Sequence, residues 1–144
     1  MRAGFDIGGA KIAAIALDED GAELKRCRAK VPRDYDATVR VLGEIVTQLE
    51  GGRERAASVG ISLPGMISGA GEVVRIANLP WLRGRPFAAD LEAALDRPVR
   101  IANDANCFAL SEATDGAAAG ARMVFGVILG TGVGGGIVLD GRLY

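Results

Sequence analysis

One stretch of this sequence occurs twice. Without gaps, Phe5-Asp6-Ile7-Gly8-Gly9-Ala10-Lys11 and the residues up to Asp18 lie against Val127-Ile128-Leu129-Gly130-Thr131-Gly132-Val133 and the residues up to Asp140. Both copies read as apolar strand, glycine turn, apolar strand and Asp-containing turn, the pattern of a β-hairpin. Chance similarity between Gly- and Ala-rich segments is the alternative. If the copies are related, the chain holds one domain over residues 1–120 and the first hairpin of a second, similar domain over 121–144. A lone hairpin is marginal in water. The chain is therefore expected to be a fragment that stops inside its second domain.

The rest of the pattern alternates strands and helices. Apolar runs predict strands at 3–7, 12–17 and 22–31, with a turn at Asp18-Glu19-Asp20-Gly21. Asp34 or Asp36 can cap a helix over 35–50, whose stripe is Val39, Leu42, Val46 and Leu49 and which Gly51-Gly52 ends. A buried strand at 58–63 stops at Pro64-Gly65, and a loop-rich stretch over 66–85 carries Trp81. Pro86 suits the first turn of a helix through Leu95. A strand at 98–102 runs into a helix opened by Asn103-Asp104 and ending near Gly116. A strand at 122–129, the turn from Gly130 to Gly136 and a short strand at 137–139 complete the chain. This order predicts an α/β layered fold.

Composition narrows the chemistry. Apolar residues make up 49% of the chain, enough for a core and too many for disorder. There is no histidine, which excludes Ser-His-Asp and Cys-His catalysis and any His-ligated metal within these residues. A net charge of −1 without a basic run argues against a nucleic-acid surface. No apolar run approaches the ~18 residues of a membrane span, and the first residues lack the apolar stretch of a signal peptide. Cys27 and Cys107 form no CxxC pair, which fits a reducing cytoplasm.

Glycine turns let backbone N–H groups converge on an anion, and glycine reaches the positive φ such turns use. The first turn, Asp6-Ile7-Gly8-Gly9-Ala10-Lys11, adds a carboxylate able to hold Mg²⁺ through water and an ammonium able to neutralise phosphate. An ordinary hairpin turn is the plainer account. Gly130, Gly132 and Gly135 also fit G-x-G-x-x-G, but a dinucleotide site needs a helix next, and an apolar triplet and a turn follow instead. No Walker A motif exists. Asn103-Asp104-Ala105-Asn106 after a strand is explained by helix capping. In a chain without histidine, however, Asp104 is also the natural general base for a hydroxyl. Ser62 reads as a strand residue, Trp81 as packing with sugar stacking as the alternative, Arg83 and Arg85 as solvated, and Cys107 as buried rather than reactive.

Taken in order, five segments resemble the N-terminal part of the ROK (repressor, open reading frame, kinase) sugar kinases, within the actin-like, ribonuclease-H-like ATPase superfamily. They are Asp6-Ile-Gly-Gly-Ala-Lys11, Gly60-Ile-Ser-Leu-Pro-Gly65, Asn78 with its neighbours, Asn103-Asp-Ala-Asn-Cys-Phe-Ala-Leu-Ser-Glu112, and Leu129-Gly-Thr-Gly-Val-Gly-Gly-Gly136. The resemblance implies ATP-dependent phosphorylation of a hexose, with ATP and Mg²⁺ as cofactors and sugar and nucleotide meeting in a cleft between two domains. It puts nucleotide contacts on Asp6, Gly8, Gly9, Ala10, Lys11, Gly130, Thr131, Gly132, Gly134 and Gly135, and Mg²⁺, through water, on Asp6. It puts the sugar on Gly65, Asn78, Asn103 and Asp104, with Asp104 the catalytic base. Position 10 departs from the family, with Ala where Thr is usual, so a hydroxyl contact to phosphate is lost.

Within the family, Asn78-Leu-Pro-Trp-Leu-Arg-Gly-Arg-Pro-Phe87 and Asp115-Gly-Ala-Ala-Ala-Gly-Ala121 are most similar to bacterial fructokinases with mannokinase activity, implying conversion of fructose to fructose 6-phosphate. N-acetylglucosamine kinases, which share the Asn103–Glu112 segment, and glucokinases are the alternatives. A sugar-responsive repressor of the family would carry a helix-turn-helix before the first motif, and five residues leave no room for one. A non-catalytic sugar-binding module is a third reading. The resemblance places the adenine segment and a structural zinc site of one His and three Cys beyond Tyr144, with no zinc in this chain. It implies a cytoplasmic protein without nucleic-acid or membrane partners, in a family where homodimers are common.

Overall fold

A computed structural model describes residues 1–130 and 132–144. The chain forms two compact units, Met1–Ile101 and Ala102–Tyr144. The first opens with the strands β1 (Arg2–Ile7), β2 (Lys11–Leu17) and β3 (Glu23–Lys30), followed by the helix α1 (Tyr35–Glu50) and the strand β4 (Val59–Leu63). β1 pairs antiparallel with β2 and parallel with β4, β2 pairs antiparallel with β3, and the sheet order is β3-β2-β1-β4-β7, with β7 at Val99–Asn103.

Alternation decides which face is covered. Ala3, Phe5 and Ile7 of β1, Ile12, Ala14 and Ala16 of β2, and Val59, Ile61 and Leu63 of β4 are buried. The intervening residues Arg2 and Asp6 are exposed, because successive side chains of a strand point to opposite faces. α1 meets this sheet through Tyr35, Thr38, Leu42, Ile45, Val46 and Leu49, so Ile45 is buried where the spacing had Val39, which is only partly so. Burial of each such aliphatic side chain contributes about 1.5–3 kcal/mol. The Asp34 carboxylate accepts from the Ala37 N–H at the start of α1, and Gly51, at φ 52°, donates to Thr47 O at its end.

The stretch read as loop is more regular than expected. It contains a two-stranded ribbon, β5 (Met66–Ile67) with β6 (Val73–Arg75), and a 3-10 turn at Pro80–Leu82. Leu79 and Leu82, both fully buried, pin that turn to the core. The helix α2 (Phe87–Leu95) begins one residue later than expected, with Pro86 as its N-cap.

In the second unit, α3 (Asp104–Thr114) packs on β8 (Met123–Leu129) and β9 (Val133–Leu139), and β10 (Arg142–Leu143) follows; the order is β10-β9-β8. The compact units therefore divide after Ile101, whereas the sequence boundary was drawn at 120. The difference is α3 and the turns behind it, which share the small core of Ala109, Val124 and Val138. The repeat is visible in the strand ends: Ile7 and Leu129, Lys11 and Val133, and Leu17 and Leu139 are aligned positions, and each closes or opens a strand. β9 begins at Val133, so Gly134, Gly135 and Gly136 lie in a strand and not in the turn expected over 130–136.

Candidate functional site

In the first unit the expected residues gather at the carboxyl ends of the parallel strands β1 and β4, where open α/β sheets bind ligands. Asp6 and Ser62 are register partners there, and the Ser62 hydroxyl donates to Asp6 Oδ1 at 3.3 Å. Residues 8–10 join β1 to β2. The Gly8 N–H donates to Lys11 O at 2.9 Å, and the carbonyl of Ala10 accepts from the Val31 N–H at 3.2 Å, tying the tip to the end of β3. Lys11 is exposed and pairs with no carboxylate among the described residues.

Neither Gly8 nor Gly9 has a positive φ, nor has any described glycine of the second motif. The left-handed freedom expected of these turns is not what they use. Gly9 uses space instead: a Cβ there would lie 3.1 Å from Asn78 Cβ. Gly65 needs both, with φ 134° and a would-be Cβ 2.4 Å from Arg75 O. Gly65 thus lets the chain leaving β4 run against residues 75 and 76, two positions before Asn78. Asp6, Gly9, Gly65, Ser62 and Asn78 form one neighbourhood. Ser62 was missed because its link to Asp6 exists only once β1 and β4 pair across α1.

The residues flanking Asn78 are anchored. The Trp81 indole N–H donates to Thr38 Oγ1 at 3.2 Å, so Trp81 packs on α1. Arg85, read as solvated, is exposed and also stacks 3.9 Å above the Tyr35 ring, and the Tyr35 hydroxyl donates to Asp90 at 2.5 Å. Burial, and then the Asp90 bond, push the Tyr35 phenol up to about 12.

In the second unit, Asn103 is the N-cap of α3, its side-chain oxygen accepting from the N–H groups of Ala105 and Asn106 at 3.0 and 3.3 Å. Asp104 is the first helical residue. Its Oδ1 accepts from the Ala105 N–H at 2.9 Å, while Oδ2 takes no protein partner among the described residues. Capping is therefore done by Asn103, and one Asp104 oxygen is held while the other stays available to a hydroxyl. Cys107, in the next turn of α3, is only half-buried.

The second glycine motif has a packing reason. A Cβ at Gly136 would lie 2.6 Å from Ala105 O, and one at Gly134 would lie 3.1 Å from Ala105 Cβ. Gly126, the partner of Gly136 across the hairpin, would place one 2.8 Å from Ala109 Cβ. The bare strands let α3 settle close. Gly135 faces the other side, against Phe125. Gly130 and Gly132 have open space around them, and the Gly130 N–H donates to Gly132 O within the turn. Thr131 lies outside the described residues.

The donor set near Asp6 is one carboxylate and one hydroxyl, and among the described residues no group of three or more His, Cys, Asp or Glu could hold a metal ion. That set does not cage an ion. It fits Mg²⁺ that arrives on nucleotide phosphates and keeps most of its waters. No helix of the described residues is long and apolar enough to cross a membrane.

Comparison with known proteins agrees with this architecture. The ROK family model matches residues 2–144. An N-acetyl-D-glucosamine kinase of Escherichia coli O6:H1 (strain CFT073) is 46% identical over 144 residues, which is 99% of this chain and 47% of the relative. The chain thus spans about half the length of the curated relatives it matches. The ROK hexokinase of Thermus thermophilus superposes with a TM-score of 0.90 at 33% identity, over 99% of this chain and 48% of that one. A ROK family glucokinase from Streptomyces griseus, solved with glucose and AMPPNP, superposes with a TM-score of 0.89 at 33% identity, over 99% of this chain and 46% of that one. The mixed α/β fold is that of these actin-like ATPase structures, as the motifs implied.

Proposed function

The chain belongs to the ROK family, and from that premise we propose that the protein it forms part of is an ATP-dependent hexose kinase. The observation that carries this reading is the β1–β2 turn, where the Asp6 carboxylate and the exposed Lys11 ammonium flank Gly8-Gly9-Ala10. Its aligned counterpart between β8 and β9 has Ile128 and Val133 at the same two places. Only the first turn carries charges suited to a nucleotide's phosphates, with Lys11 offsetting their charge. Mg²⁺ bound with ATP would be held by Asp6 and supplies charge neutralisation on the phosphates. Asp104 is the general base: Ala105 holds one oxygen, and the other removes the proton from the sugar hydroxyl. Gly65, Asn78 and Asn103 line the sugar's side, and Gly130, Thr131 and Gly132 contribute to the nucleotide's. Gly134 and Gly135 contribute mainly by letting β9 pack. The repeated hairpin within 121–144 opens the second of two similar domains, although α3 packs in the same compact unit, in a cytoplasmic, dimer-forming enzyme whose zinc site lies outside these residues.

N-acetylglucosamine replaces fructose as the first substrate to test. The relative at 46% identity is named for that sugar, whereas fructose rested on the two short segments Asn78–Phe87 and Asp115–Ala121. ADP release by the full-length protein with MgATP and each of N-acetylglucosamine, glucose, mannose and fructose decides the matter. A rate highest with N-acetylglucosamine is expected. A rate highest with fructose would restore the earlier choice, and a rate indifferent to every sugar would leave a binding module. Residues 1–144 alone should release no ADP in response to sugar.

A further inference from the structure

The two glycines of the first turn do different work. Neither needs a glycine backbone conformation, since neither has a positive φ. At Gly8 a Cβ would meet only Lys11 O, at an ordinary 3.6 Å. At Gly9 it would stand 3.1 Å from Asn78 Cβ, 3.6 Å from its Cγ and 3.8 Å from its Nδ2. So the Asn78 side chain lies along the bare face of Gly9.

Asn78 has little freedom to retreat. Ile76 and Leu79 on either side of it are buried in the core, Leu82 is fully buried, and Trp81 is bonded to Thr38. The Gly84 N–H donates to Val73 O at 2.7 Å, closing the segment back onto β6. At the other face, the tip holding Gly9 is tied to β3 through Ala10 O. A methyl group at position 9 would press on Asn78 Cβ, which no rotamer change can move, so the backbone at Asn78 would have to give by a few tenths of an ångström and carry the amide with it.

We propose that Gly9 is a positioning residue for the sugar site: its missing side chain is the seat that fixes the Asn78 amide for a hexose hydroxyl. The phosphate turn and the sugar-binding asparagine then share one wall, and a change on the nucleotide side of the turn reaches the sugar without any nucleotide present. This rests on the kinase reading, in which Asn78 touches the sugar.

The test is titration calorimetry of the nucleotide-free, full-length protein with the hexose it phosphorylates best, alongside thermal melts to establish folding. Gly9→Ala should weaken sugar binding about tenfold, since small displacements of a positioning group are costly. Gly8→Ala should leave sugar affinity within about twofold, whatever it does to ATP. In a double-mutant cycle, adding Gly9→Ala to Asn78→Gly should cost nothing further, because the seat is already empty. Unchanged sugar affinity in Gly9→Ala, or additive losses in the cycle, would overturn the proposal. Failure of the unsubstituted protein to bind any hexose would overturn the kinase reading itself.

Discussion

The Ser62 hydroxyl donates to the Asp6 carboxylate across the paired ends of β1 and β4, at 3.3 Å. The two residues are far apart in sequence and meet only because the strands run parallel with α1 crossing between them. The bond orients the carboxylate that leads into the β1–β2 turn.

Removing that hydroxyl should be mild and specific. A hydrogen bond of this kind contributes about 0.5–1.5 kcal/mol net. Ser62→Ala in the full-length enzyme should therefore lower kcat/KM for MgATP about three- to fivefold, with Ser62→Thr close to wild type. Initial rates at varied MgATP check this. An unchanged value would mean that Asp6 is oriented without Ser62.

The bare hairpin beneath α3 should resist side chains. Gly136→Ala would press a methyl group onto Ala105 O, 2.6 Å away, and overpacking of this type costs about 1–3 kcal/mol. Gly132→Ala, with nothing within 4 Å, should change stability by less than about 0.5 kcal/mol. Urea unfolding of the full-length variants would separate them, and equal midpoints would show that α3 does not press on the strand.

Much of this was legible in the sequence, and the reasons for the rest are physical. Strand ends at Ile7 and Leu129 followed from short apolar runs broken by glycine, a local signal, whereas the start of β9 at Val133 did not, because three consecutive glycines read as turn. The role of those glycines did not, because a motif records residue type and not what a Cβ would strike. Gly134 looked like a phosphate glycine, yet Ala105 Cβ supplies a sufficient reason for it, as the Ala105 carbonyl does for Gly136 in the same motif. Ser62 and Arg85 seemed unremarkable because their partners, Asp6 and Tyr35, are remote in sequence. Asn103 alone supplies the side-chain cap of α3, so capping does not account for Asp104, a division of labour that the adjacent Asn and Asp do not reveal in sequence.

Acid should weaken the first unit through Glu50. Burial alone pushes this carboxyl up, but hydrogen bonds from Arg97 and the Ala56 N–H, with the charges of Arg97 and Arg55, outweigh it and hold the group below its ordinary 4.5. A lowered folded-state value means stability that is complete above the unfolded value and lost as pH falls through the folded one. The Arg97 and Glu50 side chains are only 9% and 18% exposed. Glu50→Gln should thus cost about 2–3 kcal/mol at neutral pH and flatten the loss of stability below about pH 4.5. Urea midpoints at pH 7 and pH 3 test this; parallel curves for the two proteins would contradict it.

Alkali should act through Tyr35. Its phenol is pushed from 10.0 up to about 12, so folding favours the neutral form. The contribution is complete below the unfolded value and is lost as pH rises from about 10 through 12. Tyr35→Phe should remove that alkaline slope while giving up the bond to Asp90. Melting temperatures between pH 8 and about pH 11 would show it, and an unchanged slope in the variant would assign the alkaline loss elsewhere.

The most direct measurement concerns Asp104. Full-length wild type and Asp104→Asn should be compared for sugar-dependent ADP formation, with sugar affinity measured on the same samples. Asparagine keeps the shape and an oxygen for the Ala105 N–H but accepts no proton, so turnover should fall at least about a hundredfold. Sugar affinity should stay within about threefold, because the proton moves only during the reaction. Near-normal turnover by Asp104→Asn would contradict the assignment of the base and the mechanism built on it.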